Sequence, residues 1–221
     1  MPDQPDLLWD LPTRLFHWGL VAGIATCWIT GSLLDNAMQI HLLAGYFTLS
    51  LLLFRLLWGI AGSQTSRFNH FLRGPAAIAA YARTLFHRNS VGQQAGHNPI
   101  GGWSVVLLLT ASLTVAITGL FSNDAIDTHG PLAGWVGDDM SDRLTDWHQL
   151  SFDILAVFIG LHLFAILFYR LYKKTDLVRP MITGKLANCE DCNAKPASLL
   201  LAGILYAVCL GIVYAVARSA G

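Results

Sequence analysis

The sequence predicts an all-α membrane protein: a transmembrane helical bundle with a four-helix ligand-holding core and a fifth, C-terminal transmembrane helix. Three observations carry this. Hydrophobic residues make up 54% of the 221 and charged residues only 13%, about half the charged share of a soluble domain. The apolar residues gather in five runs of ~20 residues, the length that crosses a hydrocarbon core. The longer connections between the runs alternate in the sign of their charge. Lys+Arg and Asp+Glu balance at 14 each, so net charge gives no indication for or against nucleic acid or acidic substrates.

The first span is read as residues 15–34, the second as 41–61, the third as 103–121, the fourth as 147–172 and the fifth as 198–217. Inside lipid each must be helical, because only a helix satisfies its own backbone there. The first run is not read as a signal peptide: it contains His17, Trp18, Thr26 and Trp28, lacks a basic start, and no small-residue cleavage site follows it. This divides the chain into a four-helix domain (1–175), a linker (176–197) and the C-terminal helix (198–221).

The connection between spans two and three carries Arg67, Arg73, Arg83 and Arg88 and no acid. The segment after span four carries Lys173, Lys174, Arg179 and Lys185. Between spans three and four lie Asp124, Asp127, Asp138, Asp139, Asp142 and Asp146 against Arg143 alone. Basic loops stay in the cytoplasm, so the N-terminus is expected inside, with the acidic loop and the C-terminus outside, in the periplasm. Within the long basic loop, residues 75–86 (PAAIAAYARTLF) read as a short amphipathic helix on the membrane surface, with Pro75 at its first position.

Ionisable residues inside spans are costly and are functional candidates by default. Four histidines qualify: His17, His41, His148 and His162. His148 and His162 are fourteen residues apart, which is about 21 Å of helix rise with both side chains nearly on one face. The fourth span thus presents one imidazole near each membrane surface. Given the alternating direction of the spans, His17 and His162 lie at the inner depth and His41 and His148 at the outer. A six-coordinate haem takes one imidazole on each side, so these pairs predict two bis-histidine haem sites. The competing reading is polar helix–helix contact through each histidine. Direct electron transfer between two haems at this spacing is expected.

Arg55 follows His41 by fourteen residues on the same face, at the inner depth, and Arg14 lies at the inner surface. Both are candidates to pair with haem propionates, although Arg14 also fits a snorkelling interfacial residue. Gly45 and Gly19, near His41 and His17, either leave room for a flat macrocycle or allow close helix packing. Asp153, in the fourth span, fits either proton exchange with a quinone or a wet boundary. The seven tryptophans are read mostly as an interfacial belt. Cys27 and Cys209 read as small core residues.

Cys189 and Cys192 form a CxxC. It supplies only two of the four ligands a tetrahedral zinc site needs, and fits a redox pair or plain reduced thiols. With no C-x-x-C-H, covalent c-type haem is not expected. His70, His87, His97 and His129 lie outside the spans. His97 begins a turn, HNPIGG, that leads into the third span, and is read as structural or propionate-adjacent, not axial.

The strings WDLPTRLFHW, HLLAGYF, FRLLWGIAGS, RFNHFLRGP, GHNPIGG and TGLF, with the two histidines of the fourth span, resemble the bacterial cytochrome b561 and nickel-iron hydrogenase b-type cytochrome superfamily. The likeness covers roughly residues 9–180. It implies a di-haem membrane cytochrome b with two haem b groups on His17, His41, His148 and His162. It also implies exchange with ubiquinone or menaquinone in the respiratory chain of a bacterial inner membrane, and a cytochrome c or hydrogenase-type subunit as redox partner. A basic soluble partner would dock on the acidic outer loop. Two rivals remain: a stand-alone quinone-linked oxidoreductase acting on a small molecule such as superoxide, and a haem-free transporter or anchor. Few intramembrane carboxylates, no inverted repeat and no broken-helix pair speak against transport.

Overall fold

The computed structural model describes residues 8–86, 96–185 and 197–219. His87 and the Cys189–Cys192 pair lie outside the described residues. Eight α-helices are described: α1 (Leu11–Ser32), α2 (Met38–Ala61), α3 (Phe68–Phe71), α4 (Pro75–Thr84), α5 (Pro99–Gly119), α6 (Asp138–Leu171), α7 (Val178–Thr183) and α8 (Leu199–Arg218). Two 3-10 turns and one isolated bridge, Asn123 with His129, complete the regular structure among the described residues.

Among these helices α2, α5, α6 and α8 are each long and apolar enough to cross a membrane, so the protein is a multi-pass, all-α membrane bundle. The first expected span, α1, is 22 residues long but is not among the four. Arg14, His17, Trp18, Thr26, Trp28 and Thr30 dilute its apolar character. The fourth span is longer than expected. At 34 residues, α6 extends about 51 Å, against a hydrocarbon core of about 30 Å. Its first turns, with Asp138, Asp139 and Asp142, extend beyond the apolar segment.

Helix starts follow local chemistry. Asp10 caps α1 by accepting from the Thr13 N–H at 2.7 Å, and Asn98 caps α5 by accepting from the Gly101 N–H at 2.7 Å. Pro12, Pro75 and Pro99 occupy first-turn positions, where the missing N–H costs nothing. The surface helix α4 matches the expected amphipathic segment. It is tied to α6 through Tyr81 and Tyr169, whose hydroxyls hydrogen-bond, and Asn98 Nδ2 donates to the same Tyr169 oxygen at 3.1 Å.

Packing builds two antiparallel hairpins, α1 with α2 and α5 with α6. Helix α2 is central and also packs on α5 and α8. Phe16, Leu52, Phe54, Trp58, Leu109, Ala202 and Cys209 form the core where these helices meet. Residues of α1, α2, α5 and α6 together line a space between the two hairpins.

One buried polar knot fixes the start of α1 to the end of α2. Asp10 accepts from Thr13 N, from Trp58 Nε1 at 3.1 Å and from Ser66 Oγ at 3.1 Å. Ser66 in turn bonds Thr13 Oγ1 and Ser63 Oγ. Trp58 is fully enclosed and Trp9 is also buried, so these two are core residues, not part of a belt. Asp10→Ala strips three donors of their acceptor and removes a helix cap. Its expected cost is about 2–4 kcal/mol, seen as a lower unfolding temperature of the detergent-solubilised protein.

Candidate haem-binding site

A cavity of about 650 Å³ opens between the hairpins at the end where α1 meets the start of α2. His41 and His148 line it, with Gly45, Thr48, Ser112, Gln149 and Asp153. The two imidazole centres are 6.1 Å apart with planes at 79°. Two imidazoles bound trans to one metal, each at about 2.0 Å, have ring centres about 6 Å apart. The spacing therefore admits one metal ion between the rings.

Both rings are oriented by a backbone carbonyl. His41 Nδ1 lies 2.9 Å from the Cys27 carbonyl oxygen, and His148 Nδ1 lies 2.8 Å from that of Val115. A carbonyl only accepts, so each Nδ1 carries the proton and each Nε2 keeps its lone pair for a metal. A glycine stands four residues beyond each acceptor. A Cβ on Gly31 would lie 2.8 Å from His41 Nδ1, and one on Gly119 would lie 2.9 Å from His148 Cε1. These glycines make room for the imidazoles. Neither they nor the two carbonyls were identified from sequence, where spacing along one helix does not reveal the neighbour across it.

The other pair, His17 and His162, lies towards the opposite end of the hairpins, on α1 and α6, within electrostatic reach of each other. His17 Nδ1 is buried without a hydrogen-bond partner. Arg55 is 2% exposed, its guanidinium 4.9 Å from the Phe68 ring centre, and its Nη1 also lacks a partner. Arg14 is already engaged: its Nη1 donates to the Ile182 carbonyl, binding α1 to α7, which leaves a buried Nε unpartnered.

The remaining candidates divide. Gly45 has open space where a Cβ would be, on the cavity wall, whereas a Cβ on Gly19 would press on Leu51 at 3.0 Å. Gly19 is thus a packing glycine. Asp153 is exposed along the cavity. His129 belongs to the 123–130 loop at the cavity mouth. There the N–H groups of Thr128, Ile126 and Asp127 hold the Asp124 carboxyl below its ordinary range. His70 bonds Gln64 on the protein surface.

His41 and His148 offer two imidazoles across one gap of the cavity, which suits a group that brings its own equatorial ligands, as haem does. The fold is a multi-pass membrane bundle with a histidine-lined cavity between its hairpins, and the family match identifies it as a membrane cytochrome of the b type. The chain belongs to the prokaryotic cytochrome b561 family, whose model matches residues 8–184, and haem b is the cofactor this membership implies.

A protein of Rhizobium leguminosarum bv. viciae, described as a probable Ni/Fe-hydrogenase B-type cytochrome subunit, is 22% identical over 82% of this chain and 89% of its own length. A relative of the same description from Bradyrhizobium diazoefficiens is 23% identical over 80% of this chain and 84% of its own. One from Cupriavidus necator is 21% identical over 80% and 85%. No solved structure gives a significant match.

Proposed function

We propose that the chain holds two haem b groups, an outer one on His41 and His148 and an inner one on His17 and His162. It passes electrons between the membrane quinone pool and a redox partner protein. The observation that carries this reading is the 6.1 Å spacing of the His41 and His148 rings, each ring already turned so that its metal-binding nitrogen is free. In this reading α1 completes five spans, lying antiparallel along α2 from the Gly31–His41 contact to the Phe16–Arg55 contact. Haem supplies reversible one-electron chemistry. The protein supplies ligation, burial and spacing, which set potential and rate.

The partner is a hydrogenase-type or cytochrome c-type subunit. The names of the relatives favour the first, and the acidic outer loop suits a basic soluble donor or acceptor. The basic loops face the cytoplasm of a bacterial inner membrane, and the C-terminus faces the periplasm. A phosphatase reporter fused after Arg218 is then expected to be active, and an inactive fusion would reverse the orientation. Ubiquinol or menaquinol added to the oxidised, detergent-purified protein is expected to reduce its haems. Reduction by dithionite but by neither quinol would remove the quinone from this account.

A further inference from the structure

The buried polar atoms without a hydrogen-bond partner gather at the inner end. Arg14 Nε, His17 Nδ1, Arg55 Nη1 and His97 Nδ1 are four such atoms, and Thr48 Oγ1 is the fifth found among the described residues. A buried charged donor with no acceptor is costly. Asp10 lies within electrostatic reach of Arg55, but its oxygens already accept from Thr13, Trp58 and Ser66. It balances the charge of the guanidinium without satisfying Nη1.

His97 is held rigidly. Its ring packs 4.6 Å from both Trp9 and Phe71, and the next two residues are the cap and first turn of α5. Burial first, then the neighbouring Arg55 and His162, push His97 down to about 3. It is therefore neutral at physiological pH and has one N–H to donate. The Arg55 guanidinium lies over Phe68 and the His97 ring against Phe71, and those two phenyl rings are 5.7 Å apart.

We propose that Arg55 and His97 form an anion cradle for a carboxylate of the inner haem, with Arg55 Nη1 and His97 Nδ1 donating to one propionate and Asp10 as counter-charge behind the arginine. This rests on the inner haem of the preceding section. His97 is then a fifth functional histidine, a positioning residue and not an axial ligand. Arg14, bound to Ile182, is left outside the cradle.

The test is a potentiometric optical titration of the purified holoprotein with haem quantified per chain, the outer haem being identified by its loss in His148→Ala. Arg55→Gln is expected to lower the midpoint of the inner haem and leave that of the outer haem unchanged, because the propionate charge loses its counter-ion. Arg55→Lys is expected to recover most of the shift. His97→Leu is expected to lower the same midpoint by a smaller amount and His97→Gln, which keeps a donor, to restore it. Loss of the inner haem alone in Arg55→Gln, with its retention in Arg55→Lys, supports the cradle equally. Two bound haems with an unmoved inner midpoint in both Arg55→Gln and His97→Leu would overturn it, as would equal shifts of both haems. A wild-type protein without an inner haem would instead overturn the two-haem reading on which the cradle depends.

Discussion

His148→Ala is expected to reduce haem content from two per chain to one while leaving the inner haem's spectrum and midpoint unchanged. The imidazole removed is not a loosely placed surface group. Its Nδ1 is held 2.8 Å from the Val115 carbonyl oxygen and its ring faces His41 across 6.1 Å. A single remaining imidazole leaves one axial position open in a cavity that solvent can enter. His41→Ala is expected to give the same result. The double variant is expected to be no worse than either single, because both residues serve one site and their effects do not add. His17→Ala and His162→Ala are expected to remove the other haem. Two intact haem signals in both His41→Ala and His148→Ala would contradict the assignment.

Substitutions at glycines that never touch the metal are expected to come second in size. A methyl on Gly119 would lie 2.9 Å from Cε1 and 3.1 Å from Nδ1 of His148, and one on Gly31 would lie 2.8 Å from Nδ1 of His41. Each ring is pinned by its carbonyl bond and cannot swing away without losing it. Overpacking of this kind costs about 1–3 kcal/mol, so Gly31→Ala and Gly119→Ala should each weaken outer-haem binding about tenfold or more, and valine should abolish it. Gly45 provides the contrast. Nothing lies within 4 Å of its added Cβ, so Gly45→Leu should leave the helices folded and obstruct only a ligand in the cavity. Haem retention measured against helix content by circular dichroism separates these cases. Full outer-haem occupancy in Gly119→Val would show that the ring position is not fixed as described.

Much of this was legible in the sequence because helices and membranes impose simple periodicities. Fourteen residues between His148 and His162 fix a shared face and two depths. Loop charge gives an expected direction, and together these two readings pair His41 with His148. Lateral arrangement was not legible. Which helix wall stands beside each imidazole depends on how the hairpins pack, so the paired roles of Gly31 and Gly119 and of the Cys27 and Val115 carbonyls emerged only from the fold. The same limit explains Arg14 and Gly19. Gly19 has a spacing that suits a haem contact but faces Leu51, and Arg14, whose Nη1 donates to the Ile182 carbonyl, keeps a buried Nε without a partner. Hydropathy alone also describes α1 and α6 poorly. Helix α1 carries polar groups that bond to α7 and to its own backbone, and α6 runs on beyond the apolar segment read as a span.

The central claim, two haems held by two histidine pairs, is tested most directly by a reduced-minus-oxidised optical spectrum of the purified protein with haem quantified per polypeptide. The account predicts two b-type haems per chain. One haem per chain, or none from cells with ample haem supply, would contradict it.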